Sequence, residues 1–200
     1  MPASQAERLL RHTSKSGIVR ARDLRQLRIP TAVLTRLVRE GRLMRRSRGV
    51  YTLPEYEPTE HTDLAAVAKR APTAVICLLS ALRFHGLTTQ NPFEVWIMID
   101  RKARRPATER PQIRVVRASG AALAAGADLH QIEGVRVRVT DPAKSVVDCF
   151  KYRSKVGTDV AVEALRDCWR QRKASMDEIF RYAKIDRVAN LMRPYLESLV

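Results

Sequence analysis

Cysteine is scarce in this chain. Its three residues, Cys77, Cys149 and Cys168, lie far apart among apolar neighbours. No CxxC pair exists, and the four histidines are scattered. That pattern argues against a disulfide framework and a structural zinc, and for buried, reduced thiols. The N-terminus lacks a signal-type apolar stretch. No run approaches the ~20 apolar residues that cross a bilayer. A soluble, cytoplasmic protein without a membrane partner is therefore expected, with no metal and no cofactor. Acid is also in short supply. Against 37 Lys+Arg stand 21 Asp+Glu, a formal net charge of +16. Such an imbalance calls for a polyanionic partner.

The 200 residues, 45% of them hydrophobic, suffice for one large or two small domains with packed cores. The surplus of charge is uneven. Residues 1–55 hold 13 Lys+Arg against 4 Asp+Glu. Solubility alone would not require that asymmetry.

The basic N-terminal quarter reads as a winged helix-turn-helix. Gln5–Thr13 has the pattern of a first helix, with Leu9 and Leu10 inward, and Ile18-Val19 of a short strand. Arg20–Leu27 reads as a short amphipathic helix. A turn over Arg28-Ile29-Pro30 then leads to a second helix, Thr31–Glu40, which Gly41 stops. Leu43–Leu53 follows as a two-stranded basic hairpin. Leu34, Leu37 and Val38 fall on the core face of the second helix, opposite Leu24 and Leu27. Ala32, Thr35, Arg36 and Arg39 are left outside. Arginine can grip guanine O6 and N7, and threonine can touch a thymine methyl or a phosphate. Thr31, Thr35, Arg36 and Arg39 are thus candidate DNA contacts on the helix, and Arg45, Arg46 and Arg48 on the wing. Period 2 would put Arg46, Arg48 and Val50 on one face of the hairpin.

Two prolines and two acids in Pro54–Pro58 end the hairpin and set an expected boundary. The expected domains are 1–55, the DNA reader, and 59–200, a larger mixed α/β domain with a small sheet and C-terminal helices. The fold class is α+β. In the larger domain, helices are expected near Thr59–Lys69 and over Thr73–His85, where Val75, Leu78, Leu79 and Leu82 recur at helical spacing. Val95–Ile99, Ile113–Val116 and Val135–Val139 read as strands. Asp141-Pro142 starts a helix running to about Tyr152. Another spans Val160–Arg172. Ser175-Met-Asp-Glu178 is a capping box for one more. A last helical stretch starts near Asp186, with Pro194 breaking or kinking it.

Gly41-Arg-Leu43 with Arg48-Gly-Val-Tyr51 resembles the winged-helix half of the AbiEi abortive-infection antitoxins. Leu79-Ser-Ala-Leu-Arg-Phe-His-Gly-Leu87 is similar to a later segment of that family. So is the helix start Asp141-Pro-Ala-Lys-Ser-Val-Val-Asp148. The resemblance runs from about Ile18 to Arg153. It implies an autorepressor in a type IV toxin–antitoxin operon, with a nucleotidyltransferase toxin as functional partner. It assigns DNA binding to the N-terminal domain and toxin antagonism to the second. The expected DNA partner is a double-stranded operator with repeats. Helix-turn-helix proteins commonly pair on such half-sites, so a homodimer on DNA is one arrangement.

Two stretches of the sequence also have the look of enzyme sites. Ser80 and His85, five apart on a helix, do not share a face and lack an accompanying Asp or Gly-rich elbow. Asp100-Arg-Lys102 after an apolar strand has the Asp-x-Lys ending of a metal-dependent nuclease. That site needs another carboxylate, for which Glu94 and Asp63 are candidates at no convincing spacing. The dense run Arg101, Lys102, Arg104, Arg105 and Arg110 reads instead as a basic partner-binding loop. The Gly-Ser turn and paired carboxylates of a nucleotidyltransferase are missing. The expectation is a non-enzymatic antitoxin. A winged-helix-targeted nuclease and a plain transcriptional regulator unrelated to toxins are the alternatives.

Overall fold

A computed structural model describes residues 4–47, 49–55, 61–108 and 110–199. The chain is α+β and divides into two compact units. The first comprises residues 1–66 with 131–136. The second comprises 67–130 and 137–200. The first unit thus extends beyond the 1–55 expected from the proline-bounded stretch. Of that stretch, residues 56–58 lie outside the described residues.

The first unit opens with α1 (Gln5–Ser16), started by a capping box between Ser4 and Glu7. Then come β1 (Val19–Arg20), α2 (Asp23–Leu27), α3 (Thr31–Arg39), β2 (Met44–Ser47) and β3 (Val50–Thr52). The strands form an antiparallel sheet in the order β1-β3-β2. Helix α2 is shorter than expected. Arg20 is drawn into β1 opposite Val50, and its N–H donates to Asp23 Oδ2 at 3.0 Å, which starts the helix only at Asp23. Arg28 ends α2 in the left-handed region (φ 54), and Ile29 N–H returns to Leu24 O at 3.0 Å. Ala6, Leu9, Val19, Leu24, Ile29, Leu34, Leu37 and Leu43 make the core, with Leu10, Leu27 and Val38 partly buried against it. The core face thus follows the apolar spacing of the sequence, and Ile29 joins it from the turn between α2 and α3. Helix α4 (Thr62–Arg70) follows, in this unit as far as Ala66.

The second unit contains β4 (Val75–Ile76), α5 (Leu78–Phe84), β5 (Val95–Asp100), β6 (Ile113–Ala118), α6 (Ala121–Ala124) and the greater part of β7 (Ala127–Ile132) and β8 (Val135–Thr140), whose adjoining ends in 131–136 count with the first unit. After these come α7 (Pro142–Lys151), α8 (Arg153–Val156), α9 (Thr158–Arg170), α10 (Met176–Ile185) and α11 (Ala189–Glu197). The sheet order is β6-β5-β4-β8-β7. β5 runs parallel to β6 and antiparallel to β4, which is parallel to β8. Val75 belongs to a strand, not to the helix its spacing suggested. Leu78 takes φ 50 and turns the chain sharply from β4 into α5. A bulky residue is rarely found there. Ser175 and Glu178 form the expected capping box of α10, Asp141 caps α7 and Pro194 lies within α11.

The larger core gathers Trp96, Met98 and Val116 from the sheet with Leu78, Val146, Phe150, Leu165, Ile179 and Met192 from the helices. Helix α7 is buried along Ala143–Phe150 and carries charge inside. Lys144 Nζ bonds Asp148 Oδ1 and reaches Asp186 Oδ2 at 2.8 Å. Lys151 Nζ closes on Asp186 Oδ1 at 2.8 Å. Burial holds the Asp148 carboxyl up at about 7, with Lys144 pulling down and Asp186 pushing up. Burial also lifts Asp186, but Lys144 and Lys151 together hold it below the ordinary carboxylate value.

Candidate nucleic-acid interface

Helix α3 presents the outer face that its sequence spacing implies. Leu34 and Leu37 are buried, while Thr31, Ala32, Thr35, Arg36 and Arg39 are exposed. Thr35 Oγ1 donates back to Thr31 O at 3.3 Å, so both hydroxyl residues sit on the first turn and a half. Arg36 Nε lies 3.6 Å from Glu40 Oε1, with both side chains about half exposed. Such a surface pair contributes only about 0.3–0.5 kcal/mol, so it does not lock Arg36 away from a ligand.

The wing is less regular than period 2 implied. The register slips between Arg45 and Ser47: Arg45 faces Tyr51, while Ser47 faces Val50. The irregularity falls at Arg46, and such a bulge re-aims a side chain. Arg46 Nε donates to the buried Thr52 Oγ1 at 3.2 Å. Val50 is buried on the strand β3. Arg46 is thus tethered at one nitrogen, whereas exposed Arg45 has no such tether to Thr52. Arg48 lies outside the described residues. The exposed arginines 22, 25, 28 and 42 belong to the same unit and were not singled out from the sequence. Charge density alone would have drawn attention to them.

In the second unit the basic candidates Arg101, Lys102, Arg104, Arg105 and Arg110 fall in the connection between β5 and β6, and all are exposed. Arg105 Nη2 donates to Ile113 O at 3.1 Å. Arg117 Nη1 gathers the carbonyls of Asp100, Arg101 and Ala103 at 2.8–3.1 Å, which fixes the first turn of the loop.

The residues that suggested enzymes have other employment. Ser80 Oγ accepts from Trp96 N–H at 2.9 Å. His85 Nε2 lies 2.7 Å from Thr140 O, and burial holds its pKa down. Asp100 Oδ1 accepts from the backbone N–H of Lys102 at 2.8 Å, so Asp-x-Lys here closes a turn. Glu94 pairs with Arg114 at 3.7 Å. Burial raises the Asp63 carboxyl, with Glu133 adding to the rise. Among the described residues, no three His, Cys, Asp or Glu side chains converge as a metal site. The three cysteines are free and buried, and burial raises all three thiols. None has the lowered pKa of a reactive thiolate. Among the described residues, no helix is long and apolar enough to cross a membrane.

Comparison with known proteins agrees with the geometry of the first unit. Among curated proteins none matches the chain. The crystal structure of the RV2827C protein from Mycobacterium tuberculosis is similar in fold, with a TM-score of 0.60 at 18% identity. The match covers 91% of this chain and 72% of that one. Residues 7–54 match the family model described as a transcriptional regulator, the AbiEi antitoxin. That span runs from α1 to the end of the wing, so the likeness to AbiEi-type antitoxin regulators is shown in the helix-turn-helix unit itself.

Proposed function

We propose that this protein is a DNA-binding antitoxin that represses its own operon and counteracts a nucleotidyltransferase toxin. The observation that carries the reading is the outer face of α3. Two threonines and two arginines stand exposed there, beside a basic hairpin, in the segment that matches the AbiEi regulators. Helix α3 enters the major groove in this reading. Thr31 and Thr35 meet phosphate or a thymine methyl, and Arg36 and Arg39 reach base edges. Arg45, Arg46 and Arg48 hold the flanking backbone. The operator is double-stranded and contains repeats, read by a pair of chains. Antagonism of the toxin belongs to the larger unit. The role is regulatory, without catalysis.

Arg36→Ala is expected to weaken operator binding by about 1–3 kcal/mol while changing random duplex little. Arg45→Ala is expected to weaken both alike and to lower the salt slope by about one phosphate. Salt titrations on operator and random duplex read both. Unchanged affinity in both variants would remove α3 and the wing as the reading surface.

A further inference from the structure

The β6 side of the second unit has features that operator reading does not use. Phe93 is 84% exposed, the most exposed large apolar side chain among those described. It borders a groove of about 250 Å³ with Gln90, Asn91, Trp96, Arg114 and Lys155. The Arg114 guanidinium stacks 4.8 Å from the centre of the Trp96 ring, and Glu94 steadies it from 3.7 Å. The groove is therefore lined by one exposed aromatic side chain, one guanidinium stacked on an indole, two side-chain amides, an ammonium and a single carboxylate, Glu94, which is paired with Arg114. Its volume suits one planar heterocycle rather than an extended apolar segment.

Basic charge continues from this groove along the sheet margin. β6 is the outermost strand, and it starts beside the start of β5, Val95 opposite Ile113. The chain leaves β5 at its far end, after Asp100, and enters β6 at the groove end, at Ile113. The cations of this connection thus fall toward the two ends of β6, six residues or about 20 Å apart, with Arg101 and Lys102 in the turn that Arg117 holds at the far end and Arg105 bonded to Ile113 O at the groove end. Residues 101–117 contain seven Lys+Arg and a single acid, Glu109. Arg117 is spent on loop carbonyls, and Arg105 is partly so. Arg101, Lys102, Arg104 and Arg110 remain exposed.

We propose that this groove and its basic margin bind single-stranded nucleic acid. One base stacks on Phe93 and the Arg114 plane, with Gln90 and Asn91 against its edge. The adjoining phosphates run along Arg101, Lys102, Arg104 and Arg110. Interleaved aromatic and cationic groups of this kind take unstacked bases, which duplex DNA does not offer. The site is separate from α3 and does not depend on the operator reading.

The test is fluorescence anisotropy of the full chain at low salt with labelled twelve-residue oligothymidine and oligouridine, and a duplex of equal length. The expected result is binding of a single strand that survives Arg36→Ala/Arg39→Ala. Phe93→Leu keeps the apolar bulk and removes the ring face. It should weaken single-strand binding by about five-fold or more, whereas Phe93→Tyr should retain it. Arg114→Ala should weaken it as well. Arg101→Ala/Arg104→Ala should flatten the salt dependence by about 0.7 per phosphate lost. All the changed side chains are exposed, and matching thermal melts verify folding. The proposal is overturned if neither single strand binds. It is equally overturned if Phe93→Leu binds as the parent does. Loss of single-strand binding in the α3 variant, with the groove variants unaffected, would also overturn it.

Discussion

Lys144 shows how far a side chain can depart from what its sequence position suggests. Lysine and aspartate four apart on a helix usually form a solvated pair. Here both are sealed inside, Lys144 1% exposed and Asp148 0%, with Asp186 as a third member. Asp148 Oδ2 accepts no hydrogen bond within the described residues. The three groups respond differently to pH. Asp148 is raised, so ionising it costs stability as pH climbs from its ordinary value near 3.8 to about 7. Asp186 is lowered, so its stabilisation is present above the ordinary carboxylate value and fades as acid reaches its depressed one. Burial pulls Lys144 down, yet the two aspartates hold it above 10.5, so its contribution is lost only in strong alkali. Lys144→Met is expected to leave the buried Asp148 carboxyl without its cation, while Asp186 keeps Lys151, at a cost of about 3–5 kcal/mol at pH 8. The deficit should shrink at pH 5, where Asp148 can take up a proton. Urea unfolding at both values measures it. A deficit that is the same at both would mean that the lysine contributes packing rather than charge.

Individual elements show what the chain discloses locally and what it withholds. The caps of α7 and α10 were readable because Asp141-Pro142 and Ser175-x-x-Glu178 are local chemistry. The outer face of α3 was readable because helical spacing sorts exposed from buried residues without knowledge of partners. Strand β4 was not. Its two residues belong to an apolar run whose spacing also suits a helix, and only pairing with Ile97, Met98, Arg138 and Val139 decides the matter. Strand β7 was hidden for a related reason, since only Ile132 of Ala127–Ile132 is buried and the apolar residues do not alternate regularly. The slip at Arg46 depends on cross-strand register and on Thr52, both invisible to a count of alternating residues.

Arg20 has a similar lesson for the first unit. Its buried guanidinium donates to Ala66 O in α4 at 2.8 Å, beyond the proline-bounded stretch. A fragment ending at residue 56 lacks that acceptor, whereas one ending at residue 70 keeps it. The longer fragment is expected to be more stable by about 1.5–3 kcal/mol, the net worth of a hydrogen bond from a charged donor that truncation hands over to water. Coincident urea midpoints for the two fragments would show that α4 adds nothing to the winged helix. Both should still bind duplex DNA, because α3 and the wing are common to them.

The entire chain, in the proposed reading, performs two tasks with separable surfaces. Repression uses α3 and the wing in the first unit, and antagonism of the toxin uses the second. A variant with Arg36, Arg39 and Arg45 all changed to alanine tests the separation. These side chains are exposed, so each change should stay within about ±0.5 kcal/mol of stability. Arg46 is left in place because its bond to Thr52 ties it to the wing's structure. The triple variant is expected to lose repression of a reporter driven by the operon's own promoter. It should still protect cells that express the toxin from an unrelated promoter. Equal antitoxin levels, verified by immunoblot, make the comparison fair. If protection disappears with repression, the DNA-reading face is itself needed against the toxin. If repression persists, the operator is read elsewhere on the chain. Only loss of the first activity with retention of the second fits a reader and an effector joined in one polypeptide, each with its own core.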